Sequence, residues 1–300
     1  MAKITQQINI SSTSDVYAGM QDQKDKRNLE VIYVNQIDEK LKATELNMLK
    51  EFIRVCQANE LQYYLIGGTA LGAVRHHGFI PWDDDIDVGM PRKDYNRFLS
   101  LAQQSLPDYY FLQTFETDPE YLANFAKIRD NRTTFIESSM KNRRINHGVY
   151  IDVFPLDYYP EKNEKWFKLV DVLQVARISK EFASCASTKM RMIQFVAGII
   201  FPSVKATLRK RDEHLQSIHK SSMIANFCGA WGDKETVPSD YFGEGCLMEF
   251  EDIKAIVPRK YDSYLTHVYG DYMTPPPVEK QVGHHYTEII DLDKSFNEYL

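Results

Sequence analysis

From Asp38 to Asn59, apolar residues recur at Leu41, Leu46, Leu49, Phe52, Ile53 and Cys56. That spacing predicts an amphipathic helix. A short apolar run from Tyr63 to Ile66 then stops at Gly67-Gly68, which predicts a strand ending in a glycine turn. Thr69 follows as the expected cap of a short helix running through Arg75. Ile86 and Val88 alternate with Asp85 and Asp87, the period of a strand. Arg92 to Gln104 reads as a helix burying Tyr95, Phe98, Leu99 and Ala102. Tyr110–Phe115, Phe125–Arg129 and Gly148–Phe154 are strand candidates. Lys162–Ala186 and Lys205–Lys220 read as helices, residues 226–246 as an irregular loop, and Tyr261–Tyr269 as a short helix halted by Gly270 and Pro275-Pro276-Pro277.

Composition narrows the class. The 300 residues are 43% hydrophobic and 26% charged, with a formal net charge of -6. This is ordinary globular composition, unlike disordered, collagenous or coiled-coil chains. An acidic balance provides no broad footprint for a nucleic-acid polymer, although a local phosphate site stays open. Cys56, Cys185, Cys228 and Cys246 lack zinc-ribbon or redox spacing and read as free thiols of a cytoplasmic protein. The N-terminus has no apolar core of a secretory signal. The most apolar segment, Met192–Val204, is too short to span a bilayer, so it is either a buried helix or an interfacial one. Lys205, Arg209, Lys210 and Arg211 follow it, so that 192–211 resembles an interfacial anchor with a basic flank.

The chemistry concentrates between Tyr63 and Met90. On a strand, Asp83, Asp85 and Asp87 point one way and Asp84 the other. Two carboxylates ~4 Å apart repel by about 4 kcal/mol at an effective dielectric near 20. A cation between them offsets that repulsion, and Mg²⁺ (or Mn²⁺) prefers such oxygens together with substrate phosphates. The bland alternative is a solvated acidic turn after Pro81. Upstream, Gly67-Gly68-Thr69 lets backbone approach a phosphate at a helix N-terminus. Strand, Gly-Gly, short helix and then Asp-x-Asp on the next strand is the order of a polymerase-beta-like nucleotidyltransferase fold. The expected fold class is therefore α/β (α+β), with that mixed sheet and a mainly helical C-terminal part. A third acid is needed, and Asp152 lies between Ile151 and Val153, where a charge is costly unless paired or liganded. Asp157, after Pro155, reads as a loop or capping acid.

Residues Gly67–Asp87, GGTALGAVRHHGFIPWDDDID, closely resemble the hallmark of the LicD family. The resemblance extends through Asp94-Tyr95, Ala126–Glu137 and Tyr150–Asp157, and more weakly through Val268–Pro277 and His284. It implies a phosphotransferase with a nucleotidyltransferase-like core. Such enzymes move phosphocholine, or another alcohol phosphate such as ribitol phosphate, from a CDP-alcohol to a cell-surface glycan such as lipopolysaccharide, teichoic acid or capsule. The fukutin-related proteins are relatives. The implied catalytic acids are Asp83, Asp85, Asp87 and Asp152, and the implied metal ligands are Asp85, Asp87 and Asp152. No cysteine zinc site carries over.

In this expectation Gly67, Gly68 and Thr69 meet the donor phosphates, and Arg75 clamps them with its fork. Lys127, Arg129 and Arg132 form a second basic set, with a solvated strand edge as the alternative. His284 is a candidate donor contact, and one of His76 and His77 reads as structural. Asp83 or Asp152 would take the acceptor proton. A choline ammonium needs aromatic faces, for which Trp82, Tyr95, Tyr150 and Phe154 are candidates, with core packing as the alternative. Residues 1–27 read as a loose arm, 28–160 as the catalytic core and 161–300 as the part completing the site. The expected partners are CDP-choline or another CDP-alcohol and a lipid-linked or free glycan, with peripheral membrane association. The rival readings are a true nucleotidyltransferase and an inactive membrane-associated scaffold.

Overall fold

The computed structural model describes residues 23–182, 187–283 and 286–300, with side chains from Asp38 onward. Helix α1 (Gln23–Ala58) opens the described chain. It takes in residues 23–27 of the expected arm. Leu41, Leu49, Phe52, Ile53 and Cys56 are buried as the spacing predicts, Leu46 is half-buried against the core, and Glu45 and Met48 share the inner face. Strand β1 (Tyr64–Leu65) leads directly into helix α2 (Gly67–His76). The loop 77–86 then reaches β2 (Asp87–Pro91) and helix α3 (Arg92–Ser105).

Strands β3 (Tyr110–Gln113), β4 (Ala126–Asp130), β5 (Thr134–Glu137) and β6 (Val149–Tyr158) follow. The central sheet has the order β1-β2-β6-β4-β3, and the end of β6 continues into β7 (Met223–Ala225) and β8 (Thr236–Pro238). Only β2 and β6 run parallel among these pairs, so the sheet is mixed, as the sequence pattern predicts. Val88, Ile128, Ile151 and Val153 are fully buried in it, and Phe52 and Phe98 pack edge to face beneath it at 5.2 Å.

Beyond the core come α4 (Glu164–Ser179), α5 (Thr188–Ile200) and α6 (Val204–Gln216). The chain then turns to strands: hairpin β9 (Cys246–Phe250) and β10 (Ile253–Val257), helix α7 (Tyr261–Tyr269), and β11 (Thr287–Asp291) paired with β5. Helix α7 has the bounds that the sequence predicts, whereas β7 ends just before the expected loop 226–246 and β8 lies within it. No helix among the described residues is long and apolar enough to cross a membrane.

Asp157 lies inside β6 rather than in a loop. Its two oxygens accept from Arg92 Nε and Nη2 at 2.7 and 2.6 Å, and Arg92 also donates to Asp212 at 2.9 Å. This buried network ties α3, β6 and α6 together, which makes Asp157 a structural acid.

Candidate functional site

Gly67 has φ +54, a left-handed conformation that costs a residue with a Cβ roughly 1–2 kcal/mol. A Cβ on Gly67 would also stand 3.1 Å from Asp87 Oδ2, and one on Gly68 only 2.6 Å from Asp83 Oδ2. The two glycines therefore let the N-terminal end of α2 press against two carboxylates. Helix α2 starts at Gly67, with Ile66 at its N-cap position and no side-chain cap. Thr69 is not the cap the sequence suggests. Its hydroxyl accepts the backbone N–H of Asp87 at 2.8 Å and so ties α2 to the start of β2. The Gly67 N–H donates to Tyr264 Oη at 3.1 Å.

The acids come from two places. Asp83, Asp84 and Asp85 precede β2, and each offers an oxygen within 4.8 Å of the others. Strand alternation does not yet apply to them, so Asp84 belongs with its neighbours and is not turned away from them. Asp87 begins β2 and stands directly opposite Asp152 in the parallel β2–β6 pair. The Asp152 N–H also donates to Ile86 O at 2.8 Å, fixing this register. Burial holds the Asp87 carboxyl well above the ordinary carboxylate range, and the charges of Asp85, Asp152 and Asp83 push it the same way against Lys127.

Sequence reasoning missed Glu45. It is 2% exposed on the inner stripe of α1, and its Oε2 has no hydrogen-bond partner. Burial raises its carboxyl well above the usual range, and Asp85, Asp84 and Asp83 add to the rise. Its signal was a glutamate spaced four residues from both Leu41 and Leu49. The oxygen-only donors around the acidic loop fit a hard divalent cation, and the orphaned Glu45 oxygen fits a site with positive charge to come.

The basic residues divide. Arg75 donates to Tyr272 O at 2.6 Å; burial lowers its pKa, while nearby Asp83 opposes the shift. Lys127 Nζ donates to Asp152 Oδ1 at 2.6 Å and sits 3.4 Å from the Tyr150 ring centroid. Arg129 is spent inside the fold on Gln113 Oε1 and Gly148 O, both at 2.8 Å. Arg132 pairs with Asp130 at 2.9 and 2.7 Å and lies over the Tyr109 ring, away from the acidic loop. Lys127 thus joins the acids directly, and Arg129 and Arg132 do not. His284 lies outside the described residues. Gly283 before it comes against Asp84, where a Cβ would be 2.7 Å from Oδ2. His76 stands edge-on to Trp82 at 6.1 Å.

Of the aromatic candidates, Tyr95, Tyr150 and Phe154 are buried in the core, and Trp82 alone is half-buried. Tyr269 comes from α7, with its hydroxyl 3.9 Å from the position of a Gly67 Cβ, and half-exposed Trp231 packs edge-on to it at 5.2 Å. Tyr269 lies in the weakly resembling segment Val268–Pro277, whereas no local pattern announces Trp231.

A family model described as LicD/FKTN/FKRP, nucleotidyltransferase domain, matches residues 60–202. The lipopolysaccharide cholinephosphotransferase LicD of Haemophilus influenzae is 32% identical over 255 residues, covering 81% of this chain and 94% of that protein. Mannosyltransferase regulator 4 of Saccharomyces cerevisiae is 28% identical over 146 residues, which is 46% of this chain but 12% of that protein. The human ribitol 5-phosphate transferase FKRP is 43% identical over 53 residues, 16% of this chain and 11% of that protein.

Proposed function

The chain belongs to the LicD family, and from that premise we propose that it transfers an alcohol phosphate, phosphocholine first, from a CDP-alcohol to a cell-surface glycan precursor with release of CMP. The observation that carries this reading is the contact of opposites at Gly68. An anion-favouring helix end sits against the Asp83 carboxylate so closely that a Cβ does not fit. A phosphate and a cluster of carboxylates share such a place when a divalent cation lies between them. The cholinephosphotransferase relative, aligned over nearly all of its length, supports a phosphorus-group transfer.

In this reading Asp85, Asp87 and Asp152 hold Mg²⁺ or Mn²⁺, with Asp84 and Glu45 beside them. The cation supplies charge neutralisation of the donor pyrophosphate. The N–H groups of the first turn of α2 and the Arg75 fork orient the donor phosphates. Asp83, the acid outside this ligand set, or Asp152 takes the proton of the acceptor hydroxyl. The hydroxyl oxygen bonds to the distal phosphorus, the bridging P–O bond breaks, and CMP departs with the electron pair. Residues 28–160 carry the core chemistry. The remainder completes the site through Tyr264, Tyr269 and the approach of Gly283 to Asp84.

Product analysis tests the reaction class. CDP-choline, Mg²⁺ and a glycan acceptor should yield CMP and a phosphocholine-bearing glycan. Pyrophosphate released from a nucleoside triphosphate, with no CMP from any CDP-alcohol, would make the protein a nucleotidyltransferase instead.

A further inference from the structure

Helix α5 raises a separate question. Its residues Met192, Phe195, Val196, Ile199 and Ile200 follow the i, i+3, i+4, i+7, i+8 stripe that normally faces a core. Here the stripe faces outward: Met192, Phe195 and Ile199 are 67–68% exposed. The opposite side packs inward through Gln194 and Ala197, and Gln194 Nε2 donates to Ser179 Oγ of α4 at 3.2 Å. Helix α4 leaves Trp166, Leu169 and Val172 exposed as well. Concentrated exposed apolar surface of this kind marks a binding face.

The charge around the stripe identifies the occupant. From Ser187 to Arg211 the chain contains Lys189, Arg191, Lys205, Arg209, Lys210 and Arg211 and no aspartate or glutamate. Lys205 and Arg209 bond Glu116 and Arg211 bonds Asp171, but Lys189 and Arg191 stand exposed in the first turn of α5, at one end of the stripe. Ser187 caps α5, its hydroxyl accepting from the Met190 N–H. An apolar stripe with a cationic end suits the boundary between anionic headgroups and acyl chains. We infer that α5 lies flat in the surface of an anionic bilayer, with Phe195 and Ile199 inserted and Lys189 and Arg191 among the headgroups. The inference stands on α5 alone and does not depend on the proposed transfer reaction.

The test is co-sedimentation of the full chain with vesicles. One set is phosphatidylcholine with about a third phosphatidylglycerol, and the other phosphatidylcholine alone. The wild type should bind the anionic set and bind the neutral set far less. A Phe195→Ser/Ile199→Ser variant should lose at least about 30-fold in partitioning while its melting temperature holds, because both side chains are already exposed in the free protein. Lys189→Glu/Arg191→Glu should weaken binding to the anionic set only. Wild type that ignores both sets, equal binding to the two, or undiminished binding by the serine variant overturns the inference. So does a lipid-free, concentration-dependent dimer that the serine variant converts to monomer, which would assign the stripe to a second copy of the chain.

Discussion

Asp87 and Asp152 face one another across the parallel strands β2 and β6, and Lys127 Nζ lies 2.6 Å from the Asp152 carboxylate. Side chains opposite one another in register share a face of the sheet. Asp85 and Asp83 also bear on Asp87, so carboxylates crowd this face. Asp87→Asn relieves this crowding, whereas Asp152→Asn leaves the buried Lys127 ammonium without its 2.6 Å partner and costs some stability. Asp87→Asn and Asp152→Asn should each lower turnover by at least about 1000-fold, a loss of the order expected for a positioned charge-stabilising group. Circular dichroism should remain that of the wild type, and near-normal turnover in either variant would remove that acid from the site.

Lys127 and Asp152 form a buried pair, so they should fail separately and recover together. Lys127→Met leaves an uncompensated carboxylate and should cost about 3–5 kcal/mol in urea unfolding. Adding Asp152→Asn should restore most of that stability and none of the activity. If the single Lys127→Met variant is as stable as the wild type, the pair is not the main partner of the Asp152 charge.

Acid crowding also sets a pH dependence. Asp87 and Glu45 have folded pKa values above their ordinary ones. The native state therefore holds protons that the unfolded chain releases, and stability falls as pH rises from the ordinary carboxylate range toward the raised values. In chelator, the melting temperature should be lower at about pH 8 than at about pH 5, and Mg²⁺ should recover the loss at the higher pH. Glu45→Gln should flatten this profile. A metal-free profile unchanged by Glu45→Gln would contradict the crowding account.

The glycine turn and the acidic run were legible in the sequence because each breaks a local rule. Gly67-Gly68 interrupts an apolar run, and Asp152 puts a charge inside one. What failed was the boundary between elements. Strand alternation separates Asp84 from its neighbours on paper but begins only at Asp87, and Thr69 has the sequence position of a cap although its hydroxyl serves Asp87 N–H. Either use of that hydroxyl satisfies a backbone donor, so sequence alone does not choose. Leu46 packs against the core as its spacing predicts, but the more deeply buried Glu45 beside it is not predicted, because an apolar residue is the default for a buried position. Tyr264 and Tyr269 reach the site only through tertiary packing of α7 on α2.

Arg75 illustrates that last link, since its Nη1 is committed to Tyr272 O just beyond α7. A guanidinium can keep that bond and still present donors to a phosphate, whereas a lysine ammonium has no second fork. Arg75→Lys should therefore raise the donor KM about tenfold or more while secondary structure holds. An unchanged KM would place the donor phosphates elsewhere.

Gly68→Ala should act on chemistry through Asp83, because its new Cβ would displace the Asp83 carboxylate that now lies 2.6 Å away. The expected result is a fall in kcat together with a rise in donor KM. Gly67→Ala should in addition lose about 1–2 kcal/mol of stability from its left-handed backbone. Full activity in Gly68→Ala would separate the helix end from the acids.

The central claim is that the α2 end and the carboxylates of β2 and β6 form one cation-bridged phosphate site. Titration calorimetry of CDP-choline into the full chain, with Mg²⁺ and with chelator, tests it most directly. The account predicts binding with Mg²⁺, loss of at least about tenfold in affinity in chelator, and the same loss in Asp87→Asn with Mg²⁺ present. Equal donor affinity with and without the cation would contradict it.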